Sequence, residues 1–396
     1  MKRSREWLAG AVLGAGGLVF SLLLLEAGVR LLHLVPDRFW EPDPLLGARL
    51  VAGASGWWTQ EEREFVIPIQ ITSDRRRDGE RPPAKPAGVR RVLVLGDSFT
   101  EAMQVELAQA YFRRLEAALN ARGDGNRYEV LGAGVSGYGT AGATLWFERD
   151  GHRYAPDLVL LGFYPGNDVQ NNSPTLEDRL PPVYAADGSL ERVEGTTRAP
   201  AEGLLPEWKT YRFLRKSILT RQPRIAEALV GLGLMQPEAI RAVPMRDGIP
   251  VAYGGYALPL APEWEDAWSR TEALLERLRR SATAHGAQFA LAILSIRDQI
   301  YPEYWNEIVQ HTPGMEGRTW DLDAPQRRVE AWCGRSGTPC LALAPAFRAR
   351  AAAGAEPLHF RHDGHWTAAG HALAAEQLTE FVARQLQAPL QPQGGH

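Results

Sequence analysis

A serine, a histidine and an aspartate stand in settings that favour nucleophilic chemistry. Ser98 lies in Gly96-Asp97-Ser98, directly after a short apolar run. A serine between a strand and a helix has an exposed Oγ, and the nearby backbone N–H groups favour an oxyanion. Near the other end of the chain, Asp363 and His365 are two residues apart. A carboxylate so close can orient an imidazole and stabilise its protonated form. A simple helix-capping role is the alternative interpretation of Ser98.

Two further loops contain groups that stabilise negative charge. Gly137 belongs to the glycine-rich segment 132–139, and a tight turn there would present its backbone N–H. Asn167, in Gly166-Asn167-Asp168, can aim its side-chain N–H at a developing oxyanion. One such donor is typically worth about 10²–10³ in rate. An Asx turn is the other interpretation of Asn167. Four such signals at successive strand ends favour one catalytic site over separate caps and turns.

Two competing sites share these residues. Segment 132–139 fits G-x-G-x-x-G, but Asp157 precedes its strand, whereas a dinucleotide site needs an acidic residue at the strand's end. A metal site is suggested by a cluster near the C-terminus: His359, His362, Asp363, His365 and His371. Spacings of three and six do not place ligands on one helical face, and no cysteine completes a set. We therefore expect neither a cofactor nor a metal.

These loops need a scaffold that brings strand ends together. From residue 88 onward, short apolar runs alternate with helical stretches. This pattern predicts an α/β fold, an open parallel sheet with helices on both faces. The predicted strands are 91–95, 128–131, 158–163, 289–294 and 340–343, and the predicted helices are 108–122, 268–285 and 368–386. In such sheets the site lies outside the carboxyl ends of the strands.

The N-terminal segment predicts a membrane anchor. Basic residues at positions 2, 3 and 5 precede 19 uncharged residues, 7–25, which are just enough to cross a bilayer. The basic residues favour a cytoplasmic N-terminus, which places the rest of the chain outside the cytoplasm. A cleaved signal peptide and a buried soluble helix are the alternatives. We therefore expect a single-pass protein of the cell membrane with an extracytoplasmic catalytic domain.

The same patterns predict the domain boundaries. The anchor occupies 1–35, a lead-in with a small β segment at 65–71 occupies 36–87, and the catalytic domain occupies 88–386. That domain carries an irregular, proline-rich insertion at about 173–262, and 387–396 form a disordered tail. Cys333 and Cys340 are seven residues apart, and a disulfide and two free thiols are both open.

Composition narrows the possible partners. The 396 residues carry 44 basic and 47 acidic side chains, a net charge of −3, which gives no electrostatic reason to expect nucleic acid. Twelve tryptophans are many for this length. Five of them are consistent with either a glycan-stacking surface or a structural role: Trp57, Trp58, Trp264, Trp268 and Trp366.

The four loops together resemble the SGNH hydrolases, the GDSL-type esterase superfamily, and the membrane-anchored lead-in is similar to that of bacterial exported members. The resemblance covers about residues 88–385. Phe99 stands where the name-giving motif has leucine. The final pair is Asp-x-His rather than the commoner Asp-x-x-His, which is similar to the exported polysaccharide O-acetyltransferase and acetylesterase branch. The matching blocks are 96–98, Gly137, 166–168 and the pair Asp363 and His365.

The resemblance implies roles for these residues. Ser98 would be the nucleophile, His365 its base and Asp363 the group that orients the base. The backbone N–H groups of Ser98 and Gly137 and the side chain of Asn167 would form the oxyanion hole.

These observations predict a serine esterase or acylhydrolase that works through an acyl-serine intermediate. The expected substrate is an O-acetyl group on a cell-surface or exported glycan, with a lipid or short-chain ester as the alternative. If a sugar hydroxyl replaces water, the same site is a polysaccharide O-acetyltransferase. A catalytically silent glycan-binding assembly protein and a metal-dependent hydrolase are the remaining hypotheses.

Overall fold

The fold is that of a computed structural model, which describes residues 2–60, 62–177, 183–184, 190–191, 208–232, 245–354 and 356–387. Chain contacts divide these residues into two compact units. The first unit contains 2–37, 57–60, 62–66 and 208–232, and the second contains the rest. Most of the predicted disordered tail and much of the predicted insertion lie outside the described residues.

The elements alternate along the chain as an α/β protein requires. The described strands are β1 (Trp40–Asp43), β2 (Gly47–Leu50), β3 (Ser55–Thr59), β4 (Val66–Gln70), β5 (Val89–Gly96), β6 (Arg127–Gly134), β7 (Leu158–Phe163), β8 (Val183–Tyr184), β9 (Leu190–Glu191), β10 (Met245–Arg246), β11 (Ile249–Pro250), β12 (Ala257–Leu258), β13 (Gln288–Ile293), β14 (Thr319–Trp320) and β15 (Cys340–Ala342). The described helices are α1 (Lys2–Leu31), α2 (Ser98–Glu101), α3 (Tyr111–Ala121), α4 (Thr140–Arg149), α5 (Asp168–Asn171), α6 (Lys209–Arg221), α7 (Pro223–Gly231), α8 (Pro262–Ala284), α9 (Arg297–Ile300), α10 (Pro302–His311), α11 (Ala324–Ser336), α12 (Ala344–Ala352) and α13 (Ala368–Gln387).

A five-stranded sheet forms the centre of the second unit. Its strand order is β15-β13-β7-β5-β6, and every pairing in it is parallel. The five predicted strands are confirmed. Gly96 at the end of β5 pairs with Gly134 of β6 and Gly162 of β7, so these three strands end at the same level. The loops that follow them therefore meet at one edge of the sheet.

Helices cover both faces of this sheet, as predicted. Val92 and Val94 of β5 belong to a buried cluster with side chains of α3, α12 and α13. Leu93 and Leu95 are also fully buried, and alternation along a strand directs them to the opposite face. On that face Trp268 of α8 stacks on Phe163 of β7, with ring centroids 6.4 Å apart. Burying one such large apolar side chain contributes about 1.5–3 kcal/mol, so the alternating pattern fixes the strands in register.

Some elements differ from the prediction. Helix α8 begins at Pro262, six residues before the predicted start, because proline at the first turn and the acidic Glu263 and Glu265 suit a helix N-terminus. The insertion was predicted to be irregular, but its described part contains α6 and α7. In these two helices an amphipathic pattern outweighs the prolines around it. Cys333 and Cys340 form a disulfide.

The first unit is built around α1. Part of this helix, Gly10–Leu31, spans 22 residues and is long and apolar enough to cross a membrane. Near its end His33 stacks on Trp57, with ring centroids 4.1 Å apart, and Arg63 donates a hydrogen bond to the Leu32 carbonyl at 2.9 Å. Helix α6 packs against α1 in the same unit.

Candidate active site

Ser98 occupies the turn between β5 and α2. Asp97 is the N-cap of α2, and its Oδ1 accepts a hydrogen bond from the Phe99 N–H at 2.9 Å. Ser98 is the first residue of the helix and is partly exposed. Helix α2 ends after one turn because Ala102 adopts the left-handed conformation, with φ of 55°. The serine therefore stands at the sheet edge with its hydroxyl accessible.

Ser98, His365 and Asp363 form a chain of hydrogen bonds. His365 Nε2 lies 2.7 Å from Ser98 Oγ, and His365 Nδ1 lies 2.6 Å from Asp363 Oδ1. A carboxylate only accepts, so Nδ1 carries the proton, and in the neutral ring Nε2 is the acceptor for the serine hydroxyl. His365 and Asp363 retain 23% and 17% side-chain exposure, so substrate and water can reach the pair.

A tight loop explains how an Asp-x-His spacing brings the two side chains together. Gly364, between them, has φ of 84°, a left-handed conformation that favours glycine. Asp363 Oδ1 also accepts the backbone N–H of His365 at 3.2 Å. The loop is closed by a hydrogen bond from the Phe360 N–H to the His365 carbonyl at 2.8 Å and by a bridge between His359 and Trp366. The shorter spacing is thus compatible with a paired imidazole.

The surroundings of His365 raise its pKa above the ordinary value. Burial acts in the opposite direction and disfavours the charged ring. The hydrogen bond to Asp363 and the negative charge of that carboxylate outweigh burial, with smaller contributions from Asp97 and Glu101. The imidazole is therefore a stronger base than an exposed histidine.

Gly137 and Asn167 lie in the loops that flank Ser98. The first follows β6 and the second follows β7, and these are the two neighbours of β5 in the sheet. Gly137 is exposed and has φ of 81°, which suits glycine in this turn. Asn167 is the partly exposed N-cap of α5. Neither is among the described hydrogen-bond partners of Ser98 or His365, so their roles in charge stabilisation stay predictions.

Glu101 is a functional candidate that the sequence did not single out. It is buried at the end of α2, where Oε1 accepts the Trp40 indole N–H at 2.8 Å. Its Oε2 accepts the backbone N–H of Ser136 at 3.2 Å and also the Ser136 hydroxyl. Ser136 directly precedes Gly137, so Glu101 ties the Gly137 loop to the helix that begins with Ser98. Burial raises the pKa of Glu101 to about 7, against hydrogen bonds that lower it.

Asp97 and Asp168 form a second buried acidic group. Asp168 Oδ2 accepts the Tyr164 N–H at 3.0 Å. Asp97 Oδ2 and Asp168 Oδ1 are buried and have no hydrogen-bond partner in the described part of the chain. Burial raises the pKa of Asp97 to about 6, and burial together with the charge of Asp97 raises the pKa of Asp168 well above its usual range. Both effects favour the neutral form of Asp168.

Aromatic rings pack next to the His365 imidazole. The Phe99 ring lies 4.7 Å from the His365 ring and stacks on Tyr164 at 4.3 Å. Its edge meets Trp366, which is fully buried and donates its indole N–H to Ser295 Oγ at 3.1 Å. In the sequence Phe99 is only a variant of the usual motif leucine, but in the structure it packs directly against His365.

Two other histidines of the C-terminal cluster, His359 and His371, are buried in the core. Burial lowers the pKa of His359 to about 3 and that of His371 well below its usual range, so both are neutral core residues. His371 Nδ1 accepts the Tyr111 N–H at 3.2 Å. Within the described residues, no group of three or more His, Cys, Asp or Glu side chains is arranged to hold a metal ion.

The tryptophans give little support to a stacking surface. Trp264, Trp268 and Trp366 are buried in the second unit, so the glycan-stacking interpretation of these three is wrong. Sequence alone could not separate an exposed ring from a buried one. Trp57 and Trp58 are half-buried.

Comparisons with known proteins found one family model and several solved structures that are similar to this chain. Residues 259–395 match the family model described as "SGNH hydrolase-like domain, acetyltransferase AlgX". None of the curated proteins matches the chain significantly. An acetyl xylan esterase, AlAXEase, is 13% identical over 74% of this chain and 99% of that chain, with a TM-score of 0.37. TesA is 16% identical over 76% and 99%, with a TM-score of 0.34. The acetylxylan esterase Axe2 from Geobacillus stearothermophilus is 13% identical over 77% and 97%, with a TM-score of 0.37.

Similarity to solved structures at this level says nothing about substrate. The matched family model includes Asp363 and His365, and the parallel sheet brings Ser98 to them from a different part of the sequence. The part of the chain that contains Asp363 and His365 is therefore similar to an SGNH hydrolase-like domain.

Proposed function

We propose that this protein is a serine-dependent enzyme that transfers the acyl group of an ester. The observation that carries the proposal is the unbroken chain from Ser98 Oγ through His365 to Asp363, with contacts of 2.7 and 2.6 Å. A hydroxyl that donates to the free nitrogen of an oriented imidazole is the arrangement that activates serine. The raised pKa of His365 adds to its strength as a base.

The first half of the reaction acylates the enzyme. Ser98 Oγ attacks the ester carbonyl carbon while His365 Nε2 takes the hydroxyl proton. The carbonyl oxygen becomes an oxyanion, which the N–H groups of Ser98 and Gly137 and the side chain of Asn167 are proposed to stabilise. The tetrahedral intermediate then collapses, the ester C–O bond breaks, and His365 gives its proton to the departing alcohol. Asp363 keeps the ring oriented and stabilises its charge throughout.

The second half releases the acyl group. His365 deprotonates an incoming hydroxyl, whose oxygen attacks the acyl-Ser98 carbonyl, and the same proton returns to Ser98 Oγ as the acyl–serine bond breaks. With water the product is a free acid. With a sugar hydroxyl the product is a new ester.

The substrate is proposed to be an O-acetylated glycan. A cavity of about 540 Å³ lies beside the terminal loop, and that size is typical of ligand sites. Its lining includes Tyr253, Tyr304 and Arg297, and the Arg297 guanidinium lies 4.4 Å from the centre of the Tyr304 ring. Arg297 also donates to the Arg361 carbonyl, two residues before Asp363. Aromatic rings and fixed donors beside the loop that leads to Asp363 suit a polyhydroxylated acceptor.

Helix α1 is proposed to anchor the protein in the cell membrane, with the catalytic domain outside the cytoplasm. The 22 residues Gly10–Leu31 extend about 33 Å, which matches the hydrocarbon core of a bilayer. Their apolar side chains are exposed, so they lack a protein core of their own.

Hydrolysis of p-nitrophenyl acetate by the full chain in detergent tests the catalytic proposal. We expect Ser98→Ala to lower kcat by more than about 10³, because the nucleophile is lost and only binding and charge stabilisation remain. Ser269→Ala removes an exposed serine of α8 and is the matched control. A fluorophosphonate probe should label the unchanged chain and not the Ser98 variant. Full activity in Ser98→Ala would overturn the proposal, as would activity that is lost with EDTA and restored by a divalent ion.

An O-acetyltransferase is the second candidate, because the matched family description names an acetyltransferase. With p-nitrophenyl acetate as donor and an oligosaccharide as acceptor, mass spectrometry separates the outcomes. An acetylated sugar that forms in preference to acetate indicates a transferase. Acetate alone at saturating acceptor indicates a hydrolase.

A further inference from the structure

Helices α6 and α7 carry an unusual combination of exposed apolar and basic side chains. Beyond residue 32, eight large apolar side chains are exposed in the described residues, and five of them lie between residues 208 and 232. These five are Trp208, Tyr211, Leu214, Ile225 and Leu232. We call this set, with the basic residues of α6 and α7, the juxtamembrane patch.

The patch is strongly positive. Residues 210–232 contain five arginines and lysines and one acidic residue, Glu227, whereas the whole chain has a net charge of −3. The five basic residues are Arg212, Arg215, Lys216, Arg221 and Arg224. Positive charge interleaved with exposed apolar side chains on short helices is typical of segments that lie at a lipid surface. A tryptophan and a tyrosine at the start of α6 suit the headgroup region, where such rings are enriched.

A polar contact with α1 fixes where this patch lies along the proposed span. The Glu26 carboxylate accepts the N–H of Lys209 at 3.1 Å and that of Thr210 at 2.7 Å, so Glu26 caps the first turn of α6. Glu26 is the first charged residue after the apolar run 7–25. The N-terminus of α6 therefore lies near the C-terminal end of the proposed span.

The contact between Glu26 and α6 also explains how a charged side chain is stabilised so close to the apolar part of α1. Glu26 is only 12% exposed and also pairs with Arg30 at 2.7 Å. Lys209 in turn pairs with Asp37 at 2.7 Å. These contacts hold α6 against α1, while Tyr211 and Leu214 of α6 remain 43% and 44% exposed.

We propose that the juxtamembrane patch binds the anionic phospholipid headgroups of the bilayer that α1 spans. Arg215 and Arg224 would pair with headgroup phosphates, and Tyr211, Leu214 and Ile225 would enter the acyl boundary. This inference rests on the proposed membrane span of α1 and is independent of the proposed chemistry at Ser98. It gives the protein a second lipid contact, which stabilises one orientation at the membrane.

Site-specific fluorescence in vesicles tests the proposal on the full chain. Cys333 and Cys340 are paired, so an introduced cysteine alone takes the fluorophore NBD. Leu214→Cys reports on the patch and Leu18→Cys on the span. Each is reconstituted into phosphatidylcholine vesicles with and without phosphatidylglycerol, and quenching by doxyl-labelled lipid is measured. We expect quenching at 18 in both vesicles, and quenching with a blue shift at 214 that strengthens with phosphatidylglycerol.

Charge reversal supplies the matched comparison. Arg215→Glu with Arg224→Glu, in the Leu214→Cys chain, should lower the lipid-docked fraction by more than about tenfold, since each basic residue at the surface contributes about fivefold. Arg153→Glu with Arg280→Glu, two arginines that are 64% and 69% exposed in the second unit, should leave quenching at 214 unchanged. Turnover of p-nitrophenyl acetate should stay within about twofold in both variants.

The possible results distinguish the proposed lipid contact of the juxtamembrane patch from the proposed membrane anchor. Quenching at 18 with a water-exposed fluorophore at 214 would overturn the lipid contact and leave the anchor intact. A water-exposed fluorophore at both positions would overturn the anchor as well. Quenching at 214 that ignores both phosphatidylglycerol and the charge reversal would also overturn headgroup binding. None of these results bears on Ser98, whose activity is measured separately.

Discussion

Asp363 and Asp168 are both aspartates of the active-site loops, yet the structure gives them opposite surroundings. Asp363 lies at the rim, keeps 17% side-chain exposure and contacts His365 Nδ1 at 2.6 Å. Asp168 is only 1% exposed, and its charge would be repelled by that of Asp97. The rim aspartate has a cationic partner whenever the histidine is protonated. The buried aspartate has none among the described residues.

The difference shows that acidic residues in one site serve two purposes. A carboxylate beside an imidazole must be ionised to accept its proton-bearing nitrogen and stabilise its charge. A carboxyl group held in an apolar environment next to a second carboxyl keeps a proton and acts as a neutral hydrogen-bonding group. Replacing each acid by its amide separates these purposes, because an amide mimics the neutral form and abolishes the charged one.

Asp363→Asn should have the largest effect of the three amide substitutions. We expect kcat on p-nitrophenyl acetate to fall by about 10²–10⁴, because the amide favours the wrong tautomer and removes the charge that stabilises imidazolium. The reaction needs neutral His365, so kcat/KM rises with pH through its pKa. Asp363 raises that pKa, so its loss should move the acid limb of the pH profile to lower pH.

Asp266→Asn is the control for Asp363→Asn, because Asp266 is 43% exposed and pairs with Arg270 of its own helix. It should leave both kcat and the pH profile unchanged. An acid limb that stays in place in Asp363→Asn would mean that another group sets the pKa of the base.

The exposed and partly exposed residues of the site could largely be predicted from the sequence, whereas the buried acids could not. Ser98, Gly137 and Asn167 follow short apolar strands, and parallel strands end at one edge of the sheet. Pairing of Asp363 with His365 was predictable from their spacing. The contact between Glu101 and Trp40 joins residues 61 apart, and nothing in either neighbourhood indicates it. Whether a carboxyl keeps its proton depends on burial, which a motif does not encode.

Glu101→Gln should have an intermediate effect. The carboxylate accepts from Trp40 and twice from Ser136, and an amide has only one oxygen for these three donors. The Gly137 loop should loosen, and we expect kcat to fall by about tenfold with KM little changed, less than the 10²–10³ for outright loss of an oxyanion donor.

The dependence of kcat on pH provides a second measurement for Glu101→Gln. The pKa of Glu101 is about 7, so part of the activity change near neutral pH should disappear in Glu101→Gln. Glu380→Gln, a glutamate that is 64% exposed, is the control and should behave as the unchanged chain. Unaltered kcat in Glu101→Gln would show that the Gly137 loop does not need this acid.

Asp168→Asn should have the smallest effect on activity. Burial and the charge of Asp97 raise the pKa of Asp168 well above its usual range, which favours the neutral form that an amide mimics. An amide keeps its shape and can accept the Tyr164 N–H as the native group does. We expect kcat to stay within about threefold of the unchanged chain.

Stability should respond to Asp168→Asn where activity does not. An acid whose pKa is higher in the folded state stabilises fully below its unfolded pKa of about 3.9, and this contribution is lost as pH rises through the folded pKa. The unchanged chain should therefore lose melting temperature as pH rises, and Asp168→Asn should lose less of it. Thermal unfolding followed by circular dichroism over about pH 5–9 measures both slopes. A fall in kcat as deep as that of Asp363→Asn would instead mean that Asp168 works as an anion, because the amide differs from the native group chiefly in its inability to ionise.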